Sequence, residues 1–295
     1  MANPAERGEL RHQAEAVAAQ LPPLLVEAER VAVTVQQGVH GRRRVGQGET
    51  FWQFRQYVPG EPAQRIDWRE SARSERLYVR ETEWEASESV WIWRDISPSM
   101  NYASAAGLTT KRHRTDLLAL ALATLLVRGG ERVTLLGSGL APGTGSTVLN
   151  RLALLMERAE APGGGLPSVE PLPRYGQLVL LGDLLEPLED IETVMRRYAA
   201  MGVKGHLLQV LDPVEETLPF DGRVRFESLE HEPDLLLSRV ETVRADYERR
   251  LSRHREGLLA LTQAIGWSFA THRTDRPPTT ALLALYGALA RETWY

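Results

Sequence analysis

Gln177-Leu178-Val179-Leu180-Leu181-Gly182-Asp183 is the stretch that most narrows what this chain can become. It is a continuous apolar run with no polar alternation until its last residue. Such a run predicts a strand buried on both faces, which is the signature of a parallel sheet covered by helices. A second run, Val90-Trp91-Ile92-Trp93-Arg94-Asp95, has the same form and also ends in Asp. Between and beyond them strands alternate with helical patterns. Thr115–Val127 is densely apolar and stopped by Gly129-Gly130, and Arg132–Gly137 reads as the next strand. Strand, helix, strand over that span is a βαβ crossover. A helix over 148–158 and a Pro/Gly-rich connection over 162–173 lead into the 177–183 strand. Then come a helix over 188–200, strands over 206–211 and 224–229, a charged helix over 236–264, a strand over 267–271 and a helix over 280–293. The expected class is α/β: an open, mostly parallel sheet with helices on both faces.

The first 88 residues read differently, and are expected to form an N-terminal helical and extended arm before a domain over 89–295. Leu10, Ala14, Val17 and Leu21 share a helical face, and Pro22-Pro23 interrupts before Leu24, Leu25, Ala28 and Val31 resume it as a second helix or strand. Residues 38–49 are glycine-rich and basic, and Phe51, Trp52, Phe54 and Tyr57 follow closely. Arg42, Arg43, Arg44, Trp52, Arg65 and Trp68 make this segment a candidate partner-binding surface. Interleaved arginines and rings also suit nucleic acid, which is kept as the alternative function for residues 42–80. Glu49, Glu61, Asp67, Glu70 and Glu75 are mixed among them and would repel a phosphate backbone, so a protein surface laced by Arg–carboxylate pairs is favoured. The strand over 76–84 is expected to run into Val90–Asp95 as a hairpin.

Composition removes several chemistries. There is no cysteine, hence no disulfide, thiolate nucleophile or zinc–thiolate site. The net charge of −4 steers the chain toward no polyanion. No run of about 18 apolar residues suggests a membrane span, and the opening MANPAERGEL has no apolar leader core. A cytoplasmic location is the expectation that follows.

The two strand-ending acids carry the site. Asp95-Ile96-Ser97-Pro98-Ser99 puts one carboxylate and two hydroxyls within five residues. Hard oxygen donors in that density suit Mg²⁺ or Mn²⁺; the competing reading is a turn in which Ser97 or Ser99 caps helix amides. In open α/β sheets ligands bind beyond the carboxyl ends of the strands, where strand order reverses. If the two strands are neighbours, Asp95 and Asp183 converge there, with a loop hydroxyl from Thr144, Ser146 or Thr147 completing the shell. Rival chemistries are weaker. A phosphatase using Asp95 as nucleophile needs an acid two residues on, where Ser97 stands. No Gly-x-Ser-x-Gly accompanies the histidines and no phosphate-binding Gly-x-x-x-x-Gly-Lys loop occurs.

Asp95-x-Ser97-x-Ser99, a loop threonine before a helix and a strand-ending Asp183 resemble the metal-ion-dependent adhesion site of von Willebrand factor type A domains. In that resemblance Thr147 is the loop ligand, because Val148-Leu149 starts the helix directly after it. More specifically the chain resembles the bacterial family called domain of unknown function 58. The residues are Gly41–Arg44, Phe51–Tyr57, Val58-Pro59-Gly60-Glu61, Arg65-Ile66-Asp67-Trp68, Ser71-Ala72-Arg73, Val79-Arg80-Glu81, Asp95–Met100, Leu211-Asp212-Pro213-Val214-Glu215 and Tyr247. The resemblance implies a type A domain with Mg²⁺ or Mn²⁺ held by Asp95, Ser97, Ser99, Thr147 and Asp183. It also implies a non-enzymatic adaptor working beside a MoxR-type AAA+ ATPase. Arg94 departs from the usual apolar residue and is expected to threaten Asp95 as an ion-pair partner.

Overall fold

A computed structural model describes residues 23–39, 51–56, 68–73, 76–82, 88–158, 165–229 and 233–291. The expected strand at 177–183 is β5 (Gln177–Gly182), with every residue buried. It lies at the centre of a five-stranded sheet with β3 (Ser89–Arg94), β4 (Arg132–Leu135), β6 (Lys204–Leu211) and β9 (Ser268–Arg273), in the order β4-β3-β5-β6-β9. All four pairings are parallel. Counted along the chain, that order is second, first, third, fourth, fifth. The direction of winding therefore reverses between β3 and β5, the two strands that end in Asp95 and Asp183.

Helices cover both faces. On one side α3 (Lys111–Arg128) lies against the sheet with α4 (Ser146–Arg158) and α8 (Pro278–Arg291), around a core that includes Val90, Ile92, Leu118, Leu122, Val179, Leu181 and Leu282. On the other, α5 (Leu188–Ala200) and α7 (Arg244–Ala264) pack Ile191, Met195, Tyr198 and Leu258 onto Trp91, Leu178, Leu180 and Leu207. The strands alternate sides residue by residue, as the pleat requires. Helix α3 is buried from Leu117 to Leu126 with no solvent face, because α1 (Pro23–Val39) covers it from outside with Leu25, Ala28, Ala32 and Val35. Pro23 opens α1, where its fixed φ suits the first turn and its missing N–H leaves no bond unmade. The expected helix over residues 8–21 lies outside the described residues.

The chain divides into two units: Met1–Gly41 with Glu88–Tyr295, and Arg42–Ser87. The expected division was a single cut near residue 88; α1 instead belongs with the sheet. The smaller unit holds β1 (Phe51–Gln56), a short helix α2 (Trp68–Ser71) and β2 (Tyr78–Thr82). β2 pairs antiparallel with β1, not with β3. The hairpin expected between 76–84 and 90–95 therefore does not form: β3 is flanked on both sides by parallel partners and has no edge left to offer. Trp68 is exposed at 63%. Trp52 lies in β1, and Arg42, Arg43, Arg44 and Arg65 fall outside the described residues.

The strand expected over 224–229 is shorter and lies outside the main sheet. β7 (Val224–Phe226) forms a two-stranded antiparallel ladder with β8 (Leu235–Leu237). That ladder takes residues 235–237 from the long charged helix, which starts at Arg244 instead of 236. The remaining helix, α6 (Pro213–Thr217), is one turn long and opens with a capping box. Asp212 Oδ1 accepts from Val214 N at 2.9 Å, and Asp212 N donates to Glu215 Oε2 at 2.8 Å. No helix among the described residues is long and apolar enough to cross a membrane.

Candidate metal centre

Asp95 follows the last residue of β3 and is fully buried. Its backbone N donates to Leu181 O at 2.7 Å, which extends the β3–β5 ladder past the strand end and holds the carboxylate at the point of reversal. Its side chain lies over Gly182. A Cβ at that position would stand 2.8 Å from Asp95 Cβ, so β5 must end in glycine for β3 to end in a carboxylate. Gly182→Ala is expected to lower stability by about 1–3 kcal/mol through overpacking, read as a lower midpoint in urea with an unchanged slope. A midpoint equal to wild type would show that Asp95 is not held there.

The Asp-x-Ser-x-Ser loop closes on itself and then on Asp183. Ser97 N donates to Asp95 Oδ1 at 2.8 Å, Ser97 Oγ and Ser99 Oγ are 3.0 Å apart, and Ser99 Oγ donates to Asp183 Oδ2 at 3.2 Å. A one-turn 3₁₀ segment, Pro98–Asn101, starts inside the loop, and Ser97 does not cap it with its side chain. The hydroxyls face the carboxylates, and the capping-turn reading does not describe them. Asp95 Oδ2 is buried and accepts no hydrogen bond. Burial drives the Asp95 pKa up, with hydrogen bonds from Ser97 opposing and the Asp183 charge adding to the rise.

Asp95, Asp183 and Glu186 each place a carboxylate oxygen within 4.8 Å of the others. Glu186 was not in the expected set, though it lies three residues after Asp183; no spacing rule marked it. Gly165 is the second unexpected neighbour. A Cβ there would overlap Glu186 Oε1 and stand 3.2 Å from Asp95 Oδ2, so bare main chain lies against both carboxylates. The Met156 carbonyl, near the end of α4, accepts from Arg94 Nη2 at 3.1 Å at the carboxyl end of β3.

Thr147 is not brought to this cluster. The loop after β4 turns back along the outer edge of that strand, where Gly143 and Val133 exchange both backbone hydrogen bonds at 2.8 and 3.1 Å. Val133 pairs with Val90, five residues before Asp95. At roughly 3.3 Å per residue the returning loop is some 16 Å short of the carboxyl edge. Thr144, Ser146 and Thr147 are exposed at the far end of the sheet.

Arg94 does not occupy Asp95. Successive residues of a strand face opposite sides, so Arg94 points into the α3 layer. Its Nη1 donates to Asp116 Oδ1 at 2.5 Å, in a pair buried on both sides. The cation at the site is Lys111 instead, at the first turn of α3 and 1% exposed. Its Nζ donates to Asp183 Oδ2 at 2.9 Å and to Glu215 Oε1 at 2.6 Å. Burial works against its charge, but Asp183 and Glu215 outweigh burial and hold its pKa above the ordinary lysine value. One of only two lysines in the chain, it was legible as rare but not as buried.

The backbone behind Asp183 is also held. Leu184 is fully buried with φ of 50°, a left-handed conformation unusual for a branched side chain. Its carbonyl sits 2.6 Å from His254 Nε2 on α7. His254 lies mid-helix among charged residues, yet one face of α7 turns it inward. Gln209 Nε2 donates to the Asp183 carbonyl at 2.9 Å, and Tyr247 OH donates to the Glu215 carbonyl. Asp212, Glu215 and Tyr247 thus form the wall behind Lys111.

An uncharacterized protein of Mycobacterium tuberculosis (strain H37Rv) is 27% identical over 248 residues, 78% of this chain and 76% of that one. Among solved structures, an aerotolerance-related membrane protein from Bacteroides fragilis aligns over 70% of this chain and all of its own, at 14% identity and a TM-score of 0.41. An uncharacterized membrane-spanning protein from Vibrio fischeri aligns over 70% of this chain and 99% of its own, at 13% identity and a TM-score of 0.19. Both are described as membrane proteins, and the expected cytoplasmic location is withdrawn for this chain. Residues 53–257, from β1 through the site to α7, match the family described as "Protein of unknown function DUF58", and the chain belongs to that family.

Proposed function

We propose that the chain is a non-enzymatic adaptor that binds a protein partner through a divalent cation, Mg²⁺ or Mn²⁺, held at the Asp95–Asp183 edge. One observation carries this reading: a fully buried carboxylate oxygen, Asp95 Oδ2, has no hydrogen-bond donor and faces two further carboxylates. A buried anion left that way is costly, and a hard cation is what the surrounding oxygens suit. Asp95, Asp183 and Glu186, with Ser97 and Ser99 behind them, are the residues that would hold it. The cation would supply a Lewis-acidic position for a partner's carboxylate. The protein's own residues orient that position. The Asp95 backbone bond, the serine pair and the pinned Leu184 fix the donors before any ligand arrives, which lowers the cost of binding.

The resemblance to type A domains supports the same chemistry with one ligand changed, since Thr147 is remote and Glu186 is at hand. The family's resemblance also supports a MoxR-type AAA+ ATPase, or its client, as the partner. Ser97 stands where a phosphatase would need an acid, no Gly-x-Ser-x-Gly accompanies the histidines and no Gly-x-x-x-x-Gly-Lys loop occurs, and the mixed charges of residues 42–80 weigh against nucleic acid.

The test is a titration of the metal-free chain with Mg²⁺, followed by retention of partner proteins with Mg²⁺ and with EDTA. Wild type is expected to bind one Mg²⁺ and to retain an AAA+ ATPase only in its presence; Asp95→Ala is expected to lose both. Equal retention by wild type and Asp95→Ala in EDTA would sink the metal-bridged reading.

A further inference from the structure

We propose that Glu186 is an internal ligand of this cation, holding the coordination position that a partner's carboxylate takes, so that the site is capped by its own chain until Glu186 swings out. This rests on the metal reading and says how the site is regulated. A cluster of three acids is not by itself a site. Here Asp95, fully buried, aims an oxygen with no hydrogen-bond donor into the cluster. The other cation nearby does not serve it: Lys111 bonds Asp183 and Glu215.

The geometry ties Glu186 to that oxygen. Glu186 Oε1 and Asp95 Oδ2 border one small space against the Gly165 main chain, a space that even a methyl group there would fill. Two carboxylates brought so close repel unless a cation lies between them, and the Ser99 hydroxyl is taken up by Asp183. Release of Glu186 requires no backbone movement. The backbone before it is pinned at Leu184 by His254, and Pro187 after it leads straight into α5. Only the side chain has to rotate, and it is half-buried, unlike Asp95 and Asp183. Asp95 and Asp183 are built to stay, Glu186 to leave. A glutamate or aspartate presented by a partner offers the same donor atom and competes for the same position.

The probe is Mn²⁺, with free metal followed by electron paramagnetic resonance and metal-bound water by water-proton relaxation. The full chain is compared with Glu186→Ala and with Glu186→Gln, which keeps the bulk without the charge; urea unfolding confirms that both variants fold. Wild type is expected to bind Mn²⁺ with low relaxivity that acetate does not change. Glu186→Ala is expected to bind it at least about tenfold more weakly, a loss seen even for groups outside a metal's direct shell. Its relaxivity should be higher, and acetate should lower it again. If both variants match wild type in affinity and relaxivity, Glu186 is no ligand and this proposal falls while the metal reading stands. If wild type binds no Mn²⁺, both fall together.

Discussion

Lys111→Met is expected to destabilise the protein by about 3–5 kcal/mol, the cost of removing one partner from a buried ion pair. The ammonium is 1% exposed and is hydrogen-bonded to Asp183, itself 6% exposed, and to Glu215. Methionine fills the same volume, so the loss is electrostatic and not a cavity. The penalty comes from what remains: two carboxylates in a site where burial already pushes the Glu215 pKa up. An intact buried pair is weak support for stability, because desolvation offsets much of the attraction; a broken one is another matter. Chemical unfolding gives the number, and the double variant Lys111→Met/Glu215→Gln should recover part of it, since one uncompensated charge is then gone. A single variant within 1 kcal/mol of wild type would mean that water already compensates the carboxylates that Lys111 bonds.

Acid should weaken the fold through two buried histidines, His206 on β6 and His272 on β9. His206, fully buried on β6, contacts Ser268 Oγ through Nδ1 at 2.8 Å, and its Nε2 has no partner. Burial, aided by the Lys204 charge, lowers its pKa to about 4. His272 on β9 faces Arg114 and the more distant Asp275; burial first and Arg114 second lower its pKa to about 4. Both values lie below the unfolded histidine value of 6.5. Between pH 6.5 and 4 the unfolded chain therefore binds more protons than the native one, so stability falls as pH falls. The contribution is complete above pH 6.5 and is lost as pH drops toward 4. It amounts to about 3 kcal/mol per histidine at the limit. Unfolding free energies measured across this window should show that slope, and His206→Asn should flatten it whatever its effect at neutral pH. An unchanged slope in the variant would assign the acid sensitivity elsewhere.

Much of the architecture was legible because parallel strands buried on both faces leave an unambiguous mark. The apolar run before Asp183 could be little else, and its neighbour before Asp95 had the same form. Together they located the edge of the sheet where Asp95, Ser97, Ser99 and Asp183 meet. The parts that failed turn on pairing, which no local pattern encodes. β2 found β1 because β3 was already flanked on both sides. Thr147 looked right by its place before a helix, yet the loop leading to it folds back along β4 and Thr147 itself falls in the first turn of α4. Lys111 and Glu186 were missed because nothing local tells a buried lysine from a solvated one, or says which acid of Glu186, Glu189 and Asp190 turns inward. The tertiary contacts of α3 and Gly165 decide both.

The placement of α1 changes what kind of object the smaller unit is. Leu25, Ala28, Ala32 and Val35 bury themselves beside α3, and the chain re-enters the same core at β3. Residues Arg42–Ser87 are thus an insertion moored at both ends, not a tail. In polymer terms it is a closed loop with fewer accessible arrangements than a free end of equal length. A single break in that insertion would split the chain into two pieces that share one hydrophobic core. The fold would then be held by packing across the cut, as a complex of two fragments.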